Sequence, residues 1–242
     1  MQTPRPWLLD WSDPIPRTLS RIDWSALAAG GLRIARLPNN RPSLDRSLAV
    51  GRLKILNEPP RPMLGPWPSL QQSAAADGWE ECLKRESEPM DLLLLGAFTT
   101  LAQILAGDPQ VKERIHCVYC TGGALYGAGQ SARGALVALN DPESAQLVLR
   151  SGVKLCWIPQ EVLGEASPLA LLMTLREHPE WFQGAPCAVD VDLCGRLTRG
   201  LMVWDLLGTT GRPPNVWRIL GFSDEARAHA QELAQTLLGE LL

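Results

Sequence analysis

The groups best equipped for chemistry in this chain are six cysteines, three histidines and a few carboxylates that directly follow apolar runs. Cys117-Val-Tyr-Cys120 has the two-residue spacing of a chelating or redox pair. It overlaps the apolar segment Ile115 to Tyr119, which reads as a buried strand, and side chains three apart on a strand leave from opposite faces. Cys82, Cys117, Cys120, Cys156, Cys187 and Cys194 are therefore expected as reduced thiols, mostly buried as small hydrophobes. His116 falls near the start of the same strand and reads as an edge residue, whereas His178 and His229 fall in polar helical contexts and read as solvated. Asp10 and Asp13 follow the apolar run Trp7 to Leu9. Taken alone they cap or turn the chain beyond them, and Asn39-Asn40 is a pair that commonly forms turns.

Whatever these groups do, the elements around them must hold them. Apolar runs alternate with helical patterns, which predicts an α/β fold: an open, mostly parallel sheet with helices on both faces. Strands are expected over 7–10, 32–36, 92–95, 115–119 and 153–158, the central ones apolar throughout as buried strands should be. Helices are expected over 44–56, 78–86, 99–106, 142–151, 167–177, 199–207 and 223–242. Ser43, Asp141-Pro142 and Ser223 supply start signals for three of them. The proline-rich stretch Glu58 to Pro68 lacks too many backbone donors for a helix or inner strand and reads as a surface loop carrying Met63 and Trp67. In such sheets the ligand sits beyond the carboxyl ends of the strands, so the residues just after each strand matter most.

Several landmarks appear there in order. They are Leu92-Leu-Leu-Leu-Gly-Ala-Phe-Thr-Thr-Leu-Ala102, Gly107-Asp-Pro109, Thr121-Gly-Gly-Ala124 and Asn140-Asp-Pro-Glu-Ser-Ala145. Together they resemble the nucleoside hydrolases, calcium-dependent N-ribohydrolases, over Leu8 to Leu207. The resemblance implies that Asp10, Asp13, Asp205 and the backbone carbonyl of Leu95 are what this chain offers a calcium ion. Calcium takes six to eight oxygens and, in that family, fixes both the ribose hydroxyls and the attacking water. It implies Asp13 as a substitute general base, and Asn39, Asn40, Asn140 and Trp204 as contacts for a nucleoside-like small molecule, the indole stacking on the base.

At other positions the resemblance breaks. The family's first loop closes on an Asp-Asp pair, where this chain has Pro16 and Arg17; proline has no side-chain oxygen and a guanidinium repels a dication. A Glu-Phe-Asn stretch that binds ribose is replaced by Ala135-Leu136-Val137, which offers no side-chain hydrogen bond. The His-Asp-Pro motif is matched to Val203-Trp-Asp-Leu206, which keeps Asp205 but places Trp204 where an acid should stand, and an indole donates no proton to a leaving group. Two functions follow. One is a degenerate homologue acting as a ligand-binding or interaction module; the other is an active calcium-dependent N-glycosidase with a rebuilt site.

The remaining expectations come from bulk properties. The 242 residues, 45% of them hydrophobic, suffice for one domain spanning 1–242. A formal charge of −3 with no basic cluster argues against nucleic acid as a partner. No run of about 18 apolar residues exists to span a membrane, and the amino terminus lacks the pattern of a secretory signal, so a cytoplasmic location is expected. Nine tryptophans, and leucines at 233, 237, 238 and 241 of the final helix, point to a homo-oligomer or a hetero-partner.

Overall fold

The computed structural model describes residues 5–10, 27, 32–37, 54–57, 74–123, 138, 141–195 and 198–236. Their strands are β1 (Trp7–Asp10), β2 (Leu32–Leu37), β3 (Lys54–Asn57), β4 (Met90–Leu94), β5 (Ile115–Thr121), β6 (Leu155–Ile158), β7 (Phe182–Val191), β8 (Met202–Asp205) and β9 (Val216–Phe222). They form one sheet in the order β3-β2-β1-β4-β5-β6-β9-β7-β8. Every pairing from β3 to β9 is parallel; β7 then runs antiparallel to β9, and β8 antiparallel to β7.

Strand parity builds two cores. Leu8, Leu92, Leu94, Val118, Cys120, Leu155 and Trp157 pack on one face, while Leu9, Leu93, Leu95, Tyr119, Cys156 and Ile158 pack on the other. Cys117 and Cys120 therefore do part to opposite faces, Cys117 lying against the second cluster and Cys120 within the first. The first face is covered by α1 (Ala74–Arg85), α2 (Thr99–Gly107) and α3 (Pro142–Arg150), which contribute Trp79, Leu101 and Val148 among others. The second is covered by α5 (Pro168–Glu177) and α6 (Asp224–Thr236), with the short α4 (Gln160–Leu163) leading into them. α6 buries Ala226, Ala230 and Ala234, a spacing of four that aligns small side chains along one stripe and admits α5 closely. Leu233 packs beside that stripe; Leu237, Leu238 and Leu241 lie outside the described residues.

Two expected helices are corrected. Residues 54–56 of the expected helix 44–56 belong to strand β3, the rest of that helix lying outside the described residues. The expected helix 199–207 is instead a turn followed by β8, in which Met202 and Trp204 are buried while Val203 is half exposed. That alternation has the two-residue period of a strand, and pairing with β7 satisfies its backbone. β7 and β9 were not anticipated. β7 contains Gly184 and Pro186, which depress strand propensity. Gly184 has a packing reason, since the Trp217 ring fills the space its Cβ would occupy.

Candidate functional site

Strand order reverses between β1 and β4: from β1 the chain winds outward through β2 and β3, and from β4 outward the other way through β5 and β6. In doubly wound sheets this switch point opens a crevice beyond the carboxyl ends, where ligands bind. Asp10, the last residue of β1, stands in register with Leu94, and Leu95 is the next residue of the neighbouring chain. Sheet topology thus brings two of the expected metal-site residues together. Asp13, Asn39, Asn40 and Asn140 lie outside the described residues.

The neighbouring strand ends are tightly tied. β5 runs into Gly122 and Gly123, whose φ angles of 105° and 74° suit glycine. The Gly122 N–H and the Thr121 hydroxyl both donate to the Ile158 carbonyl, at 3.2 and 2.9 Å, and the Gln160 N–H donates to the Gly123 carbonyl at 3.1 Å. The Trp157 indole N–H donates to the Gly122 carbonyl at 2.6 Å. Beside this edge Asp141 caps α3, accepting from the Ser144 N–H and hydroxyl, and takes a further hydrogen bond of 2.5 Å from Thr99 at the start of α2. The expected Asp141-Pro142 start signal is thus a buried tie between two helices.

Asp205 and Trp204 leave β8 on opposite sides. Trp204 turns inward, 9% exposed, and meets Trp157 edge-on with ring centres 5.5 Å apart; Trp157 in turn meets Phe98 at 5.5 Å. The Asp205 carboxylate turns toward its own chain and accepts from the backbone N–H and hydroxyl of both Thr209 and Thr210 at 2.6–3.3 Å. Those bonds, the Thr210 hydroxyl foremost, hold its pKa down at about 2. It lines a groove of about 410 Å³ with Asp190, Asp192, Val203, Thr210 and Arg212, a set that includes neither the β1 terminus nor Leu95. Among the described residues, then, the backbone places Asp10 and Leu95 at adjoining strand ends, while the Asp205 carboxylate is engaged elsewhere. That set does not by itself supply the oxygens a calcium ion requires.

Two features of the site were not read from sequence. Ser167 precedes α5 on the chain leaving β6; its hydroxyl forms no helix cap and is buried without a hydrogen-bond partner among the described residues. In the sequence Ser167 only opens the expected helix 167–177, next to Pro168. Trp157 was read as part of a strand, and its role in holding the glycine turn depends on pairing distant in sequence. The histidines differ too. His178 and His229, expected in solvent, meet across α5 and α6 with ring centres 5.2 Å apart, and His116 sits at the start of β5 as expected but pairs with Asp91. All six cysteines are free thiols, and only Cys194 is fully exposed. Burial pushes Cys82 up to about 11 and Cys117 to about 12.

The profile of the inosine-uridine preferring nucleoside hydrolases matches residues 31–168. The non-specific ribonucleoside hydrolase RihC of Escherichia coli O127:H6 is 28% identical over 173 residues, a match covering 56% of this chain and 57% of that protein. RihC of Shigella boydii serotype 18 matches with the same figures. The chain thus spans a little over half the length of the curated relatives it matches. A plant nucleoside hydrolase superposes with a TM-score of 0.63 at 17% identity, over 98% of this chain and 100% of that one. A purine-preferring ribonucleoside hydrolase from Gardnerella vaginalis gives 0.65 at 14%, over 96% and 99%. At such identities the likeness to these structures speaks to the fold.

Proposed function

Because the chain belongs to the inosine-uridine preferring nucleoside hydrolase family, we propose that it is a divergent homologue whose N-ribohydrolase activity is lost or much weakened, and that it binds a nucleoside-like small molecule at the switch-point crevice. The carrying observation is Asp205: its carboxylate is committed to Thr209 and Thr210, so it is not free to complete a calcium site. Pro16 and Arg17 stand where the family's paired carboxylates would be, and Trp204, in the place matched to the acid, is packed against Trp157. The Asp10–Leu94 register and the Gly122-Gly123 turn support a retained crevice with backbone groups for a ligand. In this reading the chain is one domain, calcium is dispensable, and the work is cytoplasmic.

A second reading keeps catalysis, with Asp10, Asp13 and the Leu95 carbonyl holding calcium and Asp13 acting as base; the meeting of Asp10 and Leu95 at the switch point favours it. A panel of ribonucleosides incubated with calcium and chelator-stripped protein separates the two. The expected result is no free base above background, with nucleoside binding detectable by calorimetry. Base release abolished by chelator and by Asp10→Ala would establish the second reading and end the first.

The same reading includes association with a second copy or a hetero-partner. Trp217 and Leu220 on β9, and Leu207 after β8, are 50%, 48% and 87% exposed, unusual for apolar side chains of their size and consistent with a covered surface.

A further inference from the structure

Glu177, His178 and His229 each bring a ligand atom to within 4.8 Å of the other two. The first two end α5 and the third lies on α6, so residues about fifty apart in sequence converge through helix packing alone. Trp181 stacks flat on the His178 ring at 3.9 Å and meets His229 edge-on at 5.7 Å, fixing both rings against one indole.

Hydrogen bonding determines which nitrogen each ring has free. The Thr174 hydroxyl donates its one hydrogen to the Ala170 carbonyl at 2.9 Å, so at 3.1 Å from His229 Nδ1 it accepts, and the ring carries its proton there. His178 Nδ1 lies 3.2 Å from the Glu180 carboxylate, which also accepts. When the rings are neutral, both therefore present an unprotonated Nε2. An acceptor behind each ring is the arrangement that orients and strengthens ligating histidines. Among the described residues, the Glu177 carboxylate is held by a loose pair with Arg176 at 3.6 Å.

We propose that Glu177, His178 and His229 form a binding site for a divalent cation of the zinc class, with water completing the coordination. Two imidazoles and one carboxylate suit zinc or nickel and disfavour calcium, which prefers all-oxygen sets. Around a tetrahedral ion with bonds near 2.0 Å the donors stand roughly 3.3 Å apart, so ligand atoms within 4.8 Å of one another need to close by at most about 1.5 Å. Glu177, its side chain 38% exposed, has the freedom to do this, moving toward the two rings that Trp181 holds. The bound ion would clamp the end of α5 to α6.

Calorimetric titration of the full, chelator-stripped chain with Zn²⁺ and Ni²⁺, in excess Ca²⁺, tests the site. One saturable site is expected, weakened roughly tenfold to a hundredfold by His229→Gln and by the surface change Glu177→Gln. Cys194→Ser, which removes the exposed thiol, should leave it unchanged. Circular dichroism verifies that each variant is folded. Failure to saturate by about 1 mM, an affinity unchanged from that of the unaltered chain in His229→Gln and Glu177→Gln, or loss in Cys194→Ser overturns the proposal.

Discussion

Asp205 shows how a single side chain can be legible in type and misleading in role. The sequence presents an aspartate near the end of an apolar segment; what it does depends on Thr209 and Thr210, and on Gly208 at a φ of 67°, which lets the chain turn back onto it. Its pKa lies at about 2 against an ordinary 3.8. A carboxylate depressed in this way contributes stability above its unfolded value, and that contribution is lost as pH falls through the folded one. NMR titration of the Asp205 carboxyl should therefore give a midpoint near 2, moving up toward 3.8 in Thr210→Ala. A midpoint already at 3.8 in the unaltered protein would mean that the turn is open in solution and the carboxylate available to a metal. The cysteines were more readable, because strand parity alone separates Cys117 from Cys120.

At the scale of elements, buried polar ties join what the hydrophobic pattern only brings near. Asp91, at the start of β4, accepts from Arg176 near the end of α5 at 3.2 Å and from His116 on β5 at 2.8 Å. Arg176 also donates to the Arg5 carbonyl at 2.6 Å and lies over the Trp7 ring at 5.4 Å, its side chain only 6% exposed. Asp91→Asn would take the buried countercharge from that guanidinium, leaving it the Arg5 carbonyl, the Trp7 ring and the looser pair with Glu177, at a cost of about 3 kcal/mol in denaturant unfolding. A loss under about 1 kcal/mol would show that water reaches Arg176 and that the tie is a surface pair. The five parallel strands expected from apolar runs all exist, within a few residues at each end, as do the helices starting at Thr99 and Pro142. β7, β8 and β9 escaped because what makes them strands is antiparallel pairing across 10 or more intervening residues, while locally Gly184 and Pro186 say otherwise.

For the whole molecule, the order β3-β2-β1-β4-β5-β6 follows from βαβ winding, and with it the position of the crevice at the end of β1 and β4; Asp10 and Leu95 are named together from sequence only because the family resemblance implies it. The three added strands at the far edge do not follow from that winding, and they carry the exposed Val203, Trp217 and Leu220. If that edge is covered in solution, light scattering at micromolar concentration should give a mass well above 26.5 kDa. A monomer at that concentration, in the unaltered protein, would leave these side chains to solvent and remove the case for self-association.

Trp157 and Trp204 have consequences for optics as well as packing. Two indoles with centres 5.5 Å apart and planes 86° apart are close enough for their transition dipoles to couple. Being chirally disposed, they would give a paired positive and negative band in the ultraviolet circular dichroism. The hairpin of β7 and β8 thus carries its own chiroptical gauge. The couplet would fade if the hairpin lifted from β6, even while every helix stayed intact.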